Sequence, residues 1–425
     1  MIEIVRPGDT RYESVRHVYS ATGSPAAVIR PAIADEVPEA FARARAGAAP
    51  LAIRSGGHGI SSIATNDGGT VLDLGRLDTV ERLGGSRVRV GAGARWGRVA
   101  RTLHPWGLAI SSGDSGDVGV GGLATTGGLG LLARSQGLTI DALRAARIVT
   151  ADGVMRRVSQ EQEPDLFWAV RGAGANIGVV AEFEFDAASI ADVAQARLGF
   201  LPRDLAGFLE RWGATVEAAP REITAFLYLF GGPTPFAQAT IVFAGTDAAA
   251  AASALQPFAD LPELSGQQAA ITPYADALLT SGAPHTGQQR ARTRTGLATH
   301  LDRDLSRRLA ELVRGGSVDM LQIRSAGGAV NDVPPEATAY AHRHQNFSVT
   351  AVTSRPGAAF DAAWAAASAR MDGMYLSFQS DHRPEDVTSA FPSATLARLR
   401  ALTDRWDPEG VFSQNFDVRM RLTPG

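Results

Sequence analysis

Two glycines in succession, placed between a short apolar strand and a histidine, constrain this chain more than any other feature. Leu51-Ala52-Ile53 reads as a strand, and Arg54-Ser55-Gly56-Gly57-His58-Gly59 follows it. Adjacent glycines let the backbone turn sharply and approach a ligand closely. Such a turn can aim several backbone N–H groups into one concavity, which suits a phosphate or pyrophosphate. A phosphate loop needs no histidine, so His58 calls for chemistry beyond anion binding.

The 46 glycines cluster before residue 180, as expected for backbone wrapped around a large ligand. The densest block runs from Ser111 to Gly137 and includes Ser111-Ser112-Gly113-Asp114-Ser115-Gly116-Asp117-Val118-Gly119-Val120-Gly121-Gly122-Leu123. It is too glycine-dense for a helix or central strand interior. Interleaved Val and Leu and the lack of lysine argue against a floppy linker. The block is therefore predicted as an ordered loop against a ligand. No GxGxxG stands between a strand and a helix with an acid downstream, so the nicotinamide dinucleotide fingerprint is missing.

Residues 1–20 read as a leading arm with a short helical turn at Tyr12–Arg16. From 24 to 187 strands and helices alternate, with a helix over 35–47 capped by Asp35, a helix over 96–103, and a third opened by Pro164 and closed by Gly172. Beyond 190 glycine thins. Alanine-rich helices are predicted at 204–219, 247–258, 302–314 and 358–371. Strands are predicted at 223–230, 239–243, 317–323, 345–353 and 374–379, and a last helix at 393–405. Helices between such strands imply an antiparallel sheet covered on one face, and an α+β fold.

The chain has 425 residues, enough for two domains. A net charge of −3 gives no reason to expect nucleic acid or an anionic membrane as partner. With zero cysteines, disulfides, thiolate metal sites and a cysteine nucleophile are excluded, and no metal site is expected. No apolar run is long enough for a membrane span. The N-terminal residues lack the apolar core of a secretion signal, so a cytoplasmic location is expected.

The order of blocks carries a resemblance. Arg54–Gly59, Val90-Gly91-Ala92-Gly93-Ala94-Arg95-Trp96, Gly116–Gly130, Asp141, Ala151-Asp152-Gly153, Asp165–Gly174 and Asp407-Pro408-Glu409-Gly410-Val411-Phe412 follow in turn. This resembles the berberine bridge enzyme-like branch of the vanillyl-alcohol oxidase / p-cresol methylhydroxylase superfamily, and 6-hydroxynicotine oxidase-type proteins in particular. The resemblance implies a two-part FAD-binding domain at 1–188 and 386–425, flanking a substrate domain at 189–385. It implies FAD joined through its 8α-methyl to His58, with Arg54, Ser55, Gly56, Gly57 and Gly59 around the pyrophosphate. Many relatives add a second bond from a cysteine. The matching position is Ser115, so a single histidyl link is the most that can form. By the same resemblance Gly113, Asp117, Val118, Gly121 and Gly122 would run along the flavin. Val179 would meet the cofactor from its strand, and Asn415 would return to the isoalloxazine.

Residues i and i+2 of a strand share a face. Along 342–351 that places His342, His344, Asn346, Ser348 and Thr350 together; along 374–379, Tyr375, Ser377 and Gln379; along 320–324, Gln322 and Arg324. Such a polar face meets either solvent or a cavity, and the family's sheet roofs the flavin. Hydride transfer from an alcohol or amine carbon needs a proton acceptor, for which Tyr375, His344 and His342 are the candidates, with Tyr228 behind them. The expectation is an FAD-dependent oxidase of a small organic substrate, reoxidised by O2. The alternatives are a flavin dehydrogenase with another acceptor, a nicotinamide-dependent reductase, and a flavin-holding protein without turnover. The sequence leaves substrate and oligomeric state open.

Overall fold

The computed structural model describes residues 1–232, 234–287 and 291–420. Its first sheet contains β1 (Glu3–Val5), β2 (Ala27–Arg30), β3 (Leu51–Arg54) and β4 (Thr70–Asp73) in the order β1-β2-β4-β3. The second contains β5 (Val80–Gly84), β6 (Arg87–Gly91), β7 (Leu143–Val149), β8 (Met155–Ser159) and β9 (Val179–Asp186) in the order β5-β6-β9-β7-β8. β4 pairs in parallel with β2 and β3, whereas the second sheet is antiparallel throughout. One core joins the two sheets. It takes Phe41, Leu72, Val90, Trp96, Val120, Phe167 and Phe183 from the N-terminal half, and Leu399, Phe412 and Phe416 from the end of the chain.

The middle of the chain supplies β10 (Asp192–Phe200), β11 (Ile223–Phe230), β12 (Phe236–Phe243), β13 (Leu264–Pro273), β14 (Arg292–Ala298), β15 (Met320–Ser325) and β16 (Phe347–Thr353). They form a seven-stranded antiparallel sheet, order β13-β10-β12-β11-β15-β16-β14. One face buries Leu227, Leu321, Ile323 and Val349 against helices Leu205–Ala218, Arg303–Arg314 and Ala358–Ser368. Asp204, Asp247 and Asp302 cap helices here, each accepting a backbone N–H of the first turn. Pairing register sets a polar row across the opposite face, Gln238–Tyr228–Gln322–Thr350–Thr295.

Several local expectations fail, each for a physical reason. The second glycine block does contain a helix, Val120–Thr126. Its glycines are there for close packing: a Cβ on Gly121 would stand 3.2 Å from the Ala92 carbonyl. Residues 374–379 form no strand; Leu376–Phe378 is a single 3-10 turn, and Tyr375 is buried by packing on Tyr340 and Phe378. The last strand begins at Phe347, so His342 and His344 lie outside it. Asp35 caps nothing and pairs with Arg147 instead.

The two glycine blocks meet backbone on backbone. A Cβ on Gly56 would lie 2.6 Å from both Cα and N of Gly119. Gly119→Ala is therefore expected to cost about 1–3 kcal/mol or more, to lower the Tm by several degrees and to reduce retained flavin. Gly122→Ala, with no protein atom within 4 Å of the added carbon, should leave the Tm unchanged or slightly improved. Calorimetry and the flavin absorbance of the two variants check this.

A second tie joins β14 to the segment after Tyr375. Burial would raise the Asp381 carboxyl, but Arg292 and Arg294 outweigh it and hold it down at about 2. A depressed carboxylate contributes stability above its unfolded pKa and loses it as pH falls through the folded value. Asp381→Asn should destabilise the protein by about 2 kcal/mol at neutral pH. The gap to wild type should close between about pH 4 and pH 2, as pH-dependent denaturation would report.

Candidate active site around His58 and Asp114

The first glycine turn leaves β3 with its amides free. Among the described residues, no intramolecular acceptor pairs with the backbone N–H groups of residues 56–59. Its carbonyls, by contrast, are held by the N-terminal arm: Tyr19 N–H donates to Gly57 and the Ser20 hydroxyl to Gly59, both at 2.8 Å. The turn thus keeps its amides free, as an anion requires, while the backbone of Gly56 lies against His285. Ser55 Oγ donates to the Ala92 carbonyl and accepts from Gly121 N–H at 3.1 Å, clamping this turn to the second block. The Arg54 guanidinium faces away, spent on Asp73 and the Val15 carbonyl, so its role is to brace the turn.

His58 sits in an aromatic box. Its ring stacks on Tyr19 at 4.4 Å between centroids and 17°, and the edge of His285 approaches at 5.2 Å. Burial pushes its pKa down; Asp117 raises it, Arg95 lowers it and Asp114 raises it. The net direction is downward, which keeps the imidazole neutral. Its Nδ1 is buried with no hydrogen-bond partner. Sequence reasoning missed Tyr19 and His285, because neither carries a local signal and both arrive from distant segments.

The second block runs opposite. Gly113 takes a left-handed φ of +75° and its carbonyl accepts from Leu131 N–H. The Ser115 hydroxyl makes only a long contact to Asp117 N–H, at 3.4 Å. Val118 is half-buried, and Gly122 is exposed. Asp117 is not free for a ligand: Oδ2 accepts from the amide and hydroxyl of Ser281 at 2.8 Å, and Oδ1 from Gly282. Val179 is fully enclosed in the second sheet's core, which leaves only its backbone to reach any ligand. Asn415 lies where the chain's end returns to the 61–66 loop, with Gln414 bonded to the carbonyls of Ile63 and Thr65; the Asn415 Nδ2 is buried without a partner.

The three expected proton acceptors do not converge. His342 is buried against the carbonyls of Ser389 and Ala390. His344 is exposed and pairs with Asp372 at 2.6 Å. Tyr375 does reach the glycine block, where its hydroxyl accepts from Gly128 N–H at 2.9 Å, and the next side chain along, Ser377, meets Thr126. The sheet's polar face offers a different group. Asp114 Oδ2 accepts from the Tyr228 hydroxyl and from Arg324 Nη2 at 3.0 Å. Arg324 also donates to Gln322 at 2.7 Å and lies 4.0 Å over the Phe378 ring. Burial raises the Asp114 carboxyl, but Arg324 and Tyr228 overcome it and keep it ionised. Burial and that same carboxylate push Tyr228 well up, so the phenol holds its proton.

The first turn thus offers free amides beside a neutral histidine, and the polar face of the sheet reaches the second block at Asp114. Comparison with known proteins names a cofactor for such a turn. Residues 25–159 match the FAD binding domain family. The (R)-6-hydroxynicotine oxidase of Paenarthrobacter nicotinovorans is 28% identical over 98% of this chain and 96% of its own length. The xylooligosaccharide oxidase of Thermothelomyces thermophilus is 34% identical, over 46% of this chain and 40% of its own length. Among solved structures, a xylooligosaccharide oxidase from Myceliophthora thermophila C1 in complex with xylobiose superimposes with a TM-score of 0.85 at 25% identity, covering 99% of this chain and 98% of that one. The 6-hydroxy-D-nicotine oxidase from Arthrobacter nicotinovorans gives 0.85 at 24% identity, covering 98% and 97%. The chain thus carries an FAD binding domain at 25–159 and is similar along nearly its whole length to FAD-linked oxidases, 6-hydroxynicotine oxidase and a xylooligosaccharide oxidase among them.

Proposed function

We propose that this chain is an oxidase of a small organic substrate, with one FAD joined covalently to His58 and dioxygen as the electron acceptor. The observation that carries the reading is His58 itself: a neutral ring with an unpartnered buried Nδ1, placed in a turn whose amides are all unpaired. The residues 56–59 would hold the pyrophosphate by their N–H groups, and a ring nitrogen of His58 would hold the 8α-methyl. When bound, FAD accepts the hydride from a C–OH or C–N carbon, and the protein supplies orientation and a proton acceptor.

Asp114 takes that last role in this reading. Its Oδ2 is committed to Tyr228 and Arg324, while Oδ1 receives no side-chain hydrogen bond among the described residues. Tyr228 and Arg324 fix the carboxylate and hold it ionised, so it can take a proton from a hydroxyl or ammonium group lying against the sheet. Tyr375 and Gln322 are placed to orient the substrate, one at Gly128 and the other in the polar row. Ser115, in place of a cysteine, leaves His58 as the single covalent anchor.

Two outcomes follow. The purified protein should be yellow, and the colour should stay with acid-precipitated chain; intact mass should exceed the bare chain by one flavin. His58→Ala should lose the acid-stable colour while retaining some exchangeable FAD. A wild-type mass equal to the bare chain overturns the covalent reading. Asp114→Asn keeps the hydrogen-bond acceptor and loses the charge. It should slow anaerobic flavin bleaching by a substrate about 10²-fold or more, with the flavin content unchanged. Turnover that leaves oxygen untouched and needs a dye would move the protein to the dehydrogenases, and rapid reduction by NADPH alone to the reductases.

A further inference from the structure

The segment 279–287 belongs to the middle of the chain yet closes over both glycine blocks. Leu279 N–H donates to the Asp114 carbonyl at 2.9 Å, and Gly116 N–H to the Leu279 carbonyl at 2.7 Å. Ser281 and Gly282 tie to the Asp117 carboxylate. Gly287 N–H donates to Val18 at 2.9 Å, beside the arm that carries Tyr19. Both ends of the strap are therefore fixed, and His285 lies between them. Its ring touches His58 edge-on and Tyr19 at 5.6 Å, and its Nε2 is buried with no hydrogen-bond partner among the described residues. Two imidazoles, each with an unpartnered buried nitrogen, thus face one another in one box.

Burial, then the charges of Arg95 and His58, hold His285 down at about 4, against pulls from Asp117 and the backbone of Gly56. A neutral imidazole next to His58 is a base. In the reading above the amides hold the pyrophosphate, a task for which a second imidazole is unneeded.

We propose that His285 is the positioning residue and proton acceptor for attachment of FAD to His58, an inference that rests on the covalent reading above. In the attachment a ring nitrogen of neutral His58 forms a bond to the 8α carbon, and one C–H bond of that methyl is broken. Two protons are released, one from the methyl and one from the substituted imidazole; they leave by way of His285, and with the two electrons released they convert dioxygen to hydrogen peroxide. Tyr19 holds the His58 ring by stacking, so that it meets the methyl in one orientation. His285 is not part of substrate oxidation and is dispensable once the bond exists.

The test follows covalent incorporation, not turnover. The full-length chain, produced in a flavin-deficient host, is mixed with FAD and quenched in acid at intervals, and the acid-stable flavin is counted by absorbance and intact mass. His285→Ala and His285→Phe should bind FAD non-covalently to the wild-type extent but form the bond at least about tenfold more slowly. Added free imidazole should restore the rate of His285→Ala and leave His285→Phe, whose ring fills the space, slow. Incorporation by either variant at the wild-type rate overturns the role of His285. Failure of imidazole to rescue His285→Ala while FAD still binds overturns the proton-acceptor part. A wild-type chain with no acid-stable flavin is a different result: it removes the covalent reading itself.

Discussion

Everything in the cofactor region depends on how closely two stretches of backbone approach each other. Gly56 and Gly119 lie so near that neither has room for a Cβ, and Ser55 fastens the contact by bridging the Ala92 carbonyl and Gly121 N–H. The closeness goes with a turn whose Gly57 and Gly59 carbonyls are taken by the N-terminal arm and whose amides at 56–59 find no acceptor among the described residues. It also brings the second block, and with it Asp114 and Ser115, onto the same site as His58. An added methyl at either glycine would separate a phosphate cradle from the groups meant to work beside it.

Charge in the site is balanced by pairs, not by a surplus of one sign. Arg95 and Asp117 act in opposite directions on His58, and Arg324 faces Asp114. With those charges offset, burial decides the protonation of the His58 imidazole and keeps it neutral. The desolvation cost of Arg324 is offset by one carboxylate, one amide and the rings of Phe378 and Phe226, while its Nε is buried without a hydrogen-bond partner among the described residues.

What was legible in the sequence was local. Glycine turns, the strand before them, the helices beginning at 204, 247 and 302 and the alternation of Gln322 and Arg324 each announce themselves within a few residues, and each stands where expected. The failures come from treating alternation as proof of a strand. At 374–379 the apolar and polar residues alternate, yet Tyr375 is buried by Tyr340 and Phe378 around a tight turn. At 342–346 the pattern runs on past the true strand end, and His342 and His344 diverge, one to the carbonyls before Phe391, the other to solvent. Tyr19 and His285 were illegible for a different reason: they reach His58 through long loops, and nothing in their own neighbourhoods marks them.

The Asp114–Tyr228–Arg324 cluster couples architecture to chemistry. Asp114 belongs to the glycine block, Tyr228 and Arg324 to adjacent strands of the large sheet. The same hydrogen bonds that seat the sheet over the block also fix the carboxylate that faces the site. A change at position 114 therefore alters the height of the roof and the basicity beneath it together. Gln322 and Gln238 share the polar row with Tyr228 and have no hydrogen bond to the block among the described residues. In the proposed reading, specificity is therefore freer to vary along that row than at the glycine contact, the histidine or the carboxylate.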